Sequence, residues 1–372
     1  MTPRSPEKPR SPVQPPLLCG RRAKLTLLGA AFIAGCASTP PVEVARVAAV
    51  RETAPVAHVA DAADDPAIWV APEPAMSLVI ATDKQGGLYV FDLAGSIVQR
   101  IDGGRPNNVD LRDGFSWSDG AAPIVATSDR IDNTIVLRRF DPVARRLEES
   151  PRARVATGFG EVYGVCLGLI GADFVAVATD AAGAVGVWRL QADATGTPRG
   201  ERIASFSLHS VAEGCVVDDE AGAYYVAEEG VGVWRVSLSD ANGSGRRLID
   251  RIGAGRLAAD VEGLALWKAA NGWGFLIVSV QGASRFAVYA RGDNSYVGAF
   301  SIGASRDGAD AVSGTDGLDV VSANLGPDYP GGLLVVQDDE NSDPPASQNF
   351  KYVSWADIET ALGLASTPAG SR

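Results

Sequence analysis

A short pattern recurs six times along this chain at a near-constant interval, and no other feature constrains the fold as strongly. Each copy is a β-branched or aromatic run, a polar cluster, a Gly-containing turn and a second alternating run that ends near an aromatic residue. The first three copies are Leu78–Lys84 with Gly87–Phe91, Ile124–Arg130 with Thr134–Leu137, and Phe174–Asp180 with Ala184–Trp188. Three more begin at Tyr224, Phe275 and Leu333, so the starts are spaced by 46, 50, 50, 51 and 58 residues. Six hairpins at a period of about 50 predict an all-β chain folded as a six-bladed β-propeller.

A second repeat precedes each hairpin and keeps register with it. A polar residue leads into a short apolar strand at Asp65-Pro66-Ala67, Asn108-Val109, Tyr163-Gly164-Val165, Glu213-Gly214-Cys215, Glu262-Gly263-Leu264 and Asp316-Gly317-Leu318. In a propeller the first strand of each blade lines the central channel, so Asp65, Asn108, Tyr163, Glu213, Glu262 and Asp316 are expected to form one ring at its mouth. The loop leaving the second strand emerges at the same end, because that strand runs antiparallel to the first. Its residues Lys84, Arg130, Ala181, Glu229, Gln281 and Asp338 are the expected second ring. The pattern over Trp355–Leu362 fits one amphipathic helical stretch.

Carboxylates from separate blades thus converge on one face, and their mutual repulsion calls for protons or cations. A hard cation that takes oxygen ligands suits this composition; Ca2+ needs neither His nor Cys. Asp61-Ala62-Ala63-Asp64-Asp65 and Gln337-Asp338-Asp339-Glu340-Asn341 are further clusters of oxygen donors, neither with EF-hand spacing. Lys84 and Arg130, with Arg112 near them, add cations to the same face, and the combination describes a site for a polyanion bridged by metal.

Composition removes competing chemistries. The chain of 372 residues has two His, His58 and His209, neither in an Arg-His-Gly or His-Cys-x5-Arg context, which argues against a phosphatase using a covalent phosphohistidine. A formal charge of −12 argues against a nucleic-acid partner. Arg21, Arg22 and Lys24 precede the apolar run Leu25–Ile33, which is too short to span a bilayer and reads as a signal-peptide core. Ile33-Ala34-Gly35-Cys36 resembles the lipobox of bacterial lipoproteins, which implies lipidation of Cys36; a soluble exported protein is the alternative. Without residues 1–35 the charge becomes −17. Cys166 and Cys215 lie in apolar strand contexts and read as two buried small hydrophobes rather than as a bridge, although an exported setting permits one. The expected organisation is an export segment over 1–35, a tether and lead-in strand over 36–54, the propeller over 55–365 and a tail over 366–372.

The motifs taken in order resemble the β-propeller phytases. Asp61-Ala-Ala-Asp-Asp-Pro-Ala-Ile-Trp69, Asn107-Asn-Val-Asp110, Glu161-Val-Tyr-Gly164, Ala227-Glu-Glu229, Asp260-Val-Glu-Gly-Leu264, Thr315-Asp-Gly-Leu-Asp319 and Gln348-Asn-Phe-Lys351 carry the resemblance, with Glu213-Gly214, Gln281-Gly282 and Gln337-Asp338 between them. It implies Ca2+-dependent hydrolysis of phytate. It further implies that Asp65 with the carbonyls of Pro66 and Val109 forms one structural calcium site, and Asp310 with Asp338 and Glu340 another. Asp64, Glu213, Glu229, Asp260, Glu262 and Gln281 correspond to groups around the catalytic calcium ions, with Asp316 near. Lys84, Arg130 and Tyr163 correspond to phosphate-contacting positions. Gln85 and Ala181 stand where the family often has Lys, which lowers positive charge around the substrate.

The expected function is therefore a monomeric phytase, exported and either lipid-anchored through Cys36 or secreted, releasing phosphate from calcium-phytate by attack of a metal-activated water. Glu229, Glu213, Asp260, Glu262 and Tyr163 are the candidate catalytic groups, and Lys84, Arg130, Tyr163 and Asp316 the candidate substrate contacts. The rival is a non-catalytic propeller lipoprotein that binds a partner or calcium-bound polyanions.

Overall fold

A computed structural model describes residues 42–269, 272–305, 308–342 and 345–364, and the export segment, Cys36 and the 366–372 tail lie outside them. The described strands form six antiparallel blades in chain order, a six-bladed β-propeller. The innermost strands are Ala63–Trp69, Pro106–Trp117, Val162–Ile170, Ala212–Asp218, Val261–Lys268 and Leu318–Val321. Each is followed by the hairpin that the first repeat marked, with second strands beginning at Leu78, Gly120, Asp173, Ala223, Gly274 and Leu333. Inner-strand residues from all six blades, among them Ile68, Leu111, Val165, Val216, Leu264 and Leu318, line a central cavity of about 410 Å³.

The core is not central but divided among the six interfaces between blades. In the strand Leu78–Asp83, Leu78 and Ile80 pack toward blade 2, while Val79 and Ala81 pack toward blade 6. The same alternation sends Val175 and Val177 one way and Ala176 and Ala178 the other. A strand covered on both faces needs apolar residues at every position rather than at every second one, which is why these runs are continuous. Burying each Val, Leu or Ile contributes about 1.5–3 kcal/mol.

Ring closure uses the amino-terminal segment. Arg51–Glu52 pairs with Asn349–Ser354 as the outermost strand of blade 6, Arg51 opposite Tyr352 and Glu52 opposite Lys351. Just before it, Val44–Ala48 runs parallel to Tyr296–Gly303 as a fifth strand on blade 5. The helix Trp355–Leu362 then packs Trp355 and Ile358 into the interface of blades 5 and 6, and Gly363 ends it at φ 60°. That left-handed conformation suits glycine, which has no Cβ to strain it.

The reading of Cys166 and Cys215 as separate thiols is overturned: they form a disulfide with Cα atoms 5.8 Å apart. The two lie 49 residues apart, close to one repeat period, so successive inner strands bring them side by side on the channel wall.

Candidate active site

The face built by the strand ends is set by a β-bulge repeated from blade to blade. The register of the inner strand slips between Ala63 and Pro66, Pro106 and Val109, Val162 and Val165, Ala212 and Cys215, and Val261 and Leu264. Two residues sit in each slip, and a bulge turns them in different directions. The first of the pair, Asn107, Tyr163, Glu213 or Glu262, faces a pocket of about 440 Å³ at the channel mouth, together with Asp316 of blade 6.

The second is glycine in three of these five slips, and Gly317 follows Asp316 in the same way in blade 6; these glycines meet the neighbouring blade. A Cβ on Gly214 would lie 2.3 Å from the Glu262 carbonyl oxygen, and one on Gly263 would lie 2.6 Å from that of Asp316. Gly263 and Gly317 instead donate their N–H groups across to the carbonyls of Asp316 and Asp64, at 2.9 and 3.0 Å.

The structure corrects three ring positions, two of them by this register. Asp64 and Asn107, not Asp65 and Asn108, share the bulge position of Tyr163, Glu213 and Glu262. Asp65 turns to the channel, where its carboxylate accepts the Val109 N–H at 3.0 Å. Asn108 also lines the channel. In the second ring Asp339 lines the pocket, whereas Asp338 is fully buried 3.1 Å from Lys351 Nζ. Asn107 has a role that its place in the sequence does not suggest. Its amide donates to Asp64 Oδ2 at 3.1 Å and Glu213 Oε1 at 2.8 Å, tying two carboxylates of different blades.

Glu213, Glu229 and Glu262 each present an oxygen within 4.8 Å of the others. Burial raises the pKa of all three, and neighbouring acids add to it: Asp64 and Asp316 for Glu213, Asp260 and Asp316 for Glu229, Glu213 and Asp316 for Glu262. Asp64 is pushed up to about 7 by burial, against the pull of Lys84. Glu262 Oε2 is buried with no hydrogen-bond partner among the described residues. An unpartnered buried carboxylate oxygen among like charges, with no imidazole or thiol in the pocket wall, fits a hard oxygen-seeking cation such as Ca2+. Asp260 stands beside Glu229, and its carbonyl accepts the Gln281 N–H at 3.0 Å. Gln281 Nε2 in turn donates to Asp316 Oδ1 at 2.5 Å.

Across the pocket, Lys84 Nζ is held by Asp61, Asp64 and Asp316 at 2.5, 2.9 and 2.9 Å. Burial alone would lower its pKa, but Asp64 and Asp316 hold it above the ordinary lysine value. The Arg130 guanidinium carbon lies 5.6 Å from the centre of the Tyr163 ring, and its buried Nε has no partner among the described residues. Burial, reinforced by Glu213 and Glu161, raises the pKa of Tyr163 and keeps its phenol protonated. Ala181 follows the blade 3 hairpin strand and brings no charge; Gln85 turns its amide away to the loop before blade 1.

The expected second calcium cluster includes a lysine. Lys351 Nζ sits 2.6 Å from Asp310 and 3.1 Å from Asp338 and also contacts Glu52. Glu340 contributes its backbone N–H to Ser313 Oγ at 3.0 Å. The histidines stand apart from the pocket wall: His58 pairs with Asp83 at 2.8 Å, and the His209 backbone N–H is bound by Glu228.

The family model described as Phytase matches residues 17–367. The 3-phytase of Bacillus subtilis (strain 168) is 40% identical over 329 residues, 86% of each chain. A solved structure titled as BBS1N in complex with ARL6DN, soaked with lead, covers 74% of each chain at 10% identity and a TM-score of 0.44, too low to bear on fold or function.

Proposed function

The chain belongs to the phytase family and is a phosphate-releasing hydrolase acting on phytate, and on that premise we propose that it works with calcium and without a phosphoenzyme. The observation that carries this reading is the meeting of Glu213, Glu229 and Glu262 opposite Lys84 and Arg130 in one pocket.

Asp64, Glu213, Glu229, Glu262 and Gln281 would hold calcium at the pocket, with Asp260 at its margin. When bound, calcium neutralises phosphate oxygens and lowers the pKa of a water molecule. Arg130, oriented by Tyr163, offers two parallel N–H donors to one phosphate. The Tyr163 phenol, held protonated, donates a further hydrogen bond. Lys84 supplies charge for a neighbouring phosphate. Glu229 is half-buried with a raised pKa, which suits it to orient the attacking water and accept its proton. The pocket wall carries no Ser, Cys or His side chain among the described residues, and its Glu carboxylates are the groups that would hold calcium, so we take the nucleophile to be water. Asp65 with the Pro66 and Val109 carbonyls, and Asp310 with Asp338 and Glu340, remain proposed structural calcium sites.

Phosphate release from phytate is to be measured in calcium, in a strong chelator and after calcium is restored. Turnover should vanish and return; turnover that persists in chelator sinks the mechanism. We also retain export with lipid attachment at Cys36, which mass spectrometry of the amino-terminal peptide tests. Among the described residues no helix is long and apolar enough to cross a membrane.

A further inference from the structure

The loop 57–62 crosses the pocket rim between the outer strand of blade 6 and the inner strand of blade 1. Its placement is specified at several points. The Ala57 N–H donates to the Tyr89 hydroxyl at 2.9 Å, His58 Nδ1 lies 2.8 Å from Asp83 Oδ2, and the Ala62 N–H donates to Gln348 Oε1 at 2.6 Å. The middle of the loop is gripped by one side chain. Gln85 Nε2 donates to the carbonyls of Val59 and Asp61 at 3.0 and 2.8 Å, and Ala60 between them takes a left-handed φ of 61°. That conformation is costly for alanine and persists only where the surroundings hold it.

The consequence lies at Asp61. Its carboxylate reaches Lys84 Nζ at 2.5 Å although the side chain is 74% exposed. The other two carboxylates on Lys84 are fixed, Asp64 being 1% and Asp316 13% exposed. The ammonium thus carries one acid on the solvent side, at the place from which a phosphate would approach.

We propose that Asp61 is a built-in competitor for Lys84, positioned by Gln85, which a substrate phosphate must displace. Asp61 sets the affinity of the Lys84 subsite, and Gln85 acts only through it. A doubly charged phosphate displaces one carboxylate readily, whereas a weakly charged ligand does not, so the loop favours polyphosphorylated substrates. This rests on the reading of Lys84 as a phosphate contact.

The test uses calcium-loaded enzyme and four variants, Lys84→Ala, Asp61→Asn, Gln85→Ala and the Asp61→Asn/Gln85→Ala pair. The readouts are kcat and KM for phytate, inhibition by inorganic phosphate, and calcium retained. Asp61→Asn should lower KM and the phosphate inhibition constant together by about two- to fivefold, the range of an exposed ion pair. Gln85→Ala should move KM the same way by a smaller factor with kcat within about twofold, and should add nothing in the Asp61→Asn background. A KM raised by Asp61→Asn, calcium lost with it, or additive effects of the two changes would overturn the proposal. Lys84→Ala separates the two levels. If it leaves KM unchanged, the phosphate reading of Lys84 has failed; if it raises KM while Asp61→Asn does not lower it, only the competitor role has failed.

Discussion

Breaking the Cys166–Cys215 disulfide removes the one side-chain cross-link between blades that is covalent among the described residues. The bridge closes a loop of 49 residues, and for a loop of that size the chain-entropy relation gives roughly 4 kcal/mol of stabilisation. Unfolding entropy near 2.1 cal/mol/K per residue, over a domain of roughly 300 residues, converts that into a fall in Tm of about 6 °C. Comparing oxidised with reduced wild-type protein isolates the cross-link, because both keep the same side chains. Cys166→Ala/Cys215→Ala should melt with or below the reduced form, since both thiols are buried, at 2% and 9% exposure, and truncation leaves small cavities. Thermal melts of calcium-loaded protein with and without reductant, with the bridge verified by mass spectrometry after alkylation in denaturant, make the measurement. Oxidised and reduced forms that melt within 1 °C of each other would refute the reasoning, as would recovery of both residues as alkylated thiols from untreated protein.

Three further outcomes are expected. Asp319 is pushed up to about 7 by burial and by Asp110, so the folded chain keeps a proton that the unfolded chain releases near pH 4. Its contribution therefore falls as pH rises from about 4 to about 7, by up to roughly 4 kcal/mol, and Asp319→Asn should flatten that part of the pH profile of urea midpoints; an unchanged slope would count against it. Glu262→Gln should stabilise the metal-free protein at pH 8 by about 1–2 kcal/mol, by removing a carboxyl whose charge is disfavoured by burial and by Glu213, while lowering phytate turnover about a hundredfold or more; a variant less stable in chelator than wild type would contradict the electrostatic account. Gly214→Ala should cost about 1–3 kcal/mol, because its Cβ would press on the Glu262 carbonyl, whereas Gly292→Ala, with open space around it, should stay within about 0.5 kcal/mol in the same denaturant titration.

Blade number, hairpin positions and the helix Trp355–Leu362 were readable from pattern alone, because each depends on residues near one another in the chain. The second strands announced themselves as continuous apolar runs such as Leu78-Val79-Ile80-Ala81, covered on both faces in every blade. The kinds of residue at the site were readable too, since carboxylates beside glycine recur with the period of the fold.

What lay beyond the pattern was decided at contacts between distant segments. A bulge of one residue turned Asn107 into the pocket, set the buried Asp64 against Lys84 and Asn107 beside it, and turned Asp65 and Asn108 into the channel, a choice that depends on how the neighbouring inner strand packs. The same packing joined Cys166 to Cys215, and it placed Lys351 among the carboxylates of Asp310 and Asp338. It also laid the 57–62 loop under Gln85. Periodicity reports which residues alternate along a strand; only the adjacent blade determines which atoms they meet.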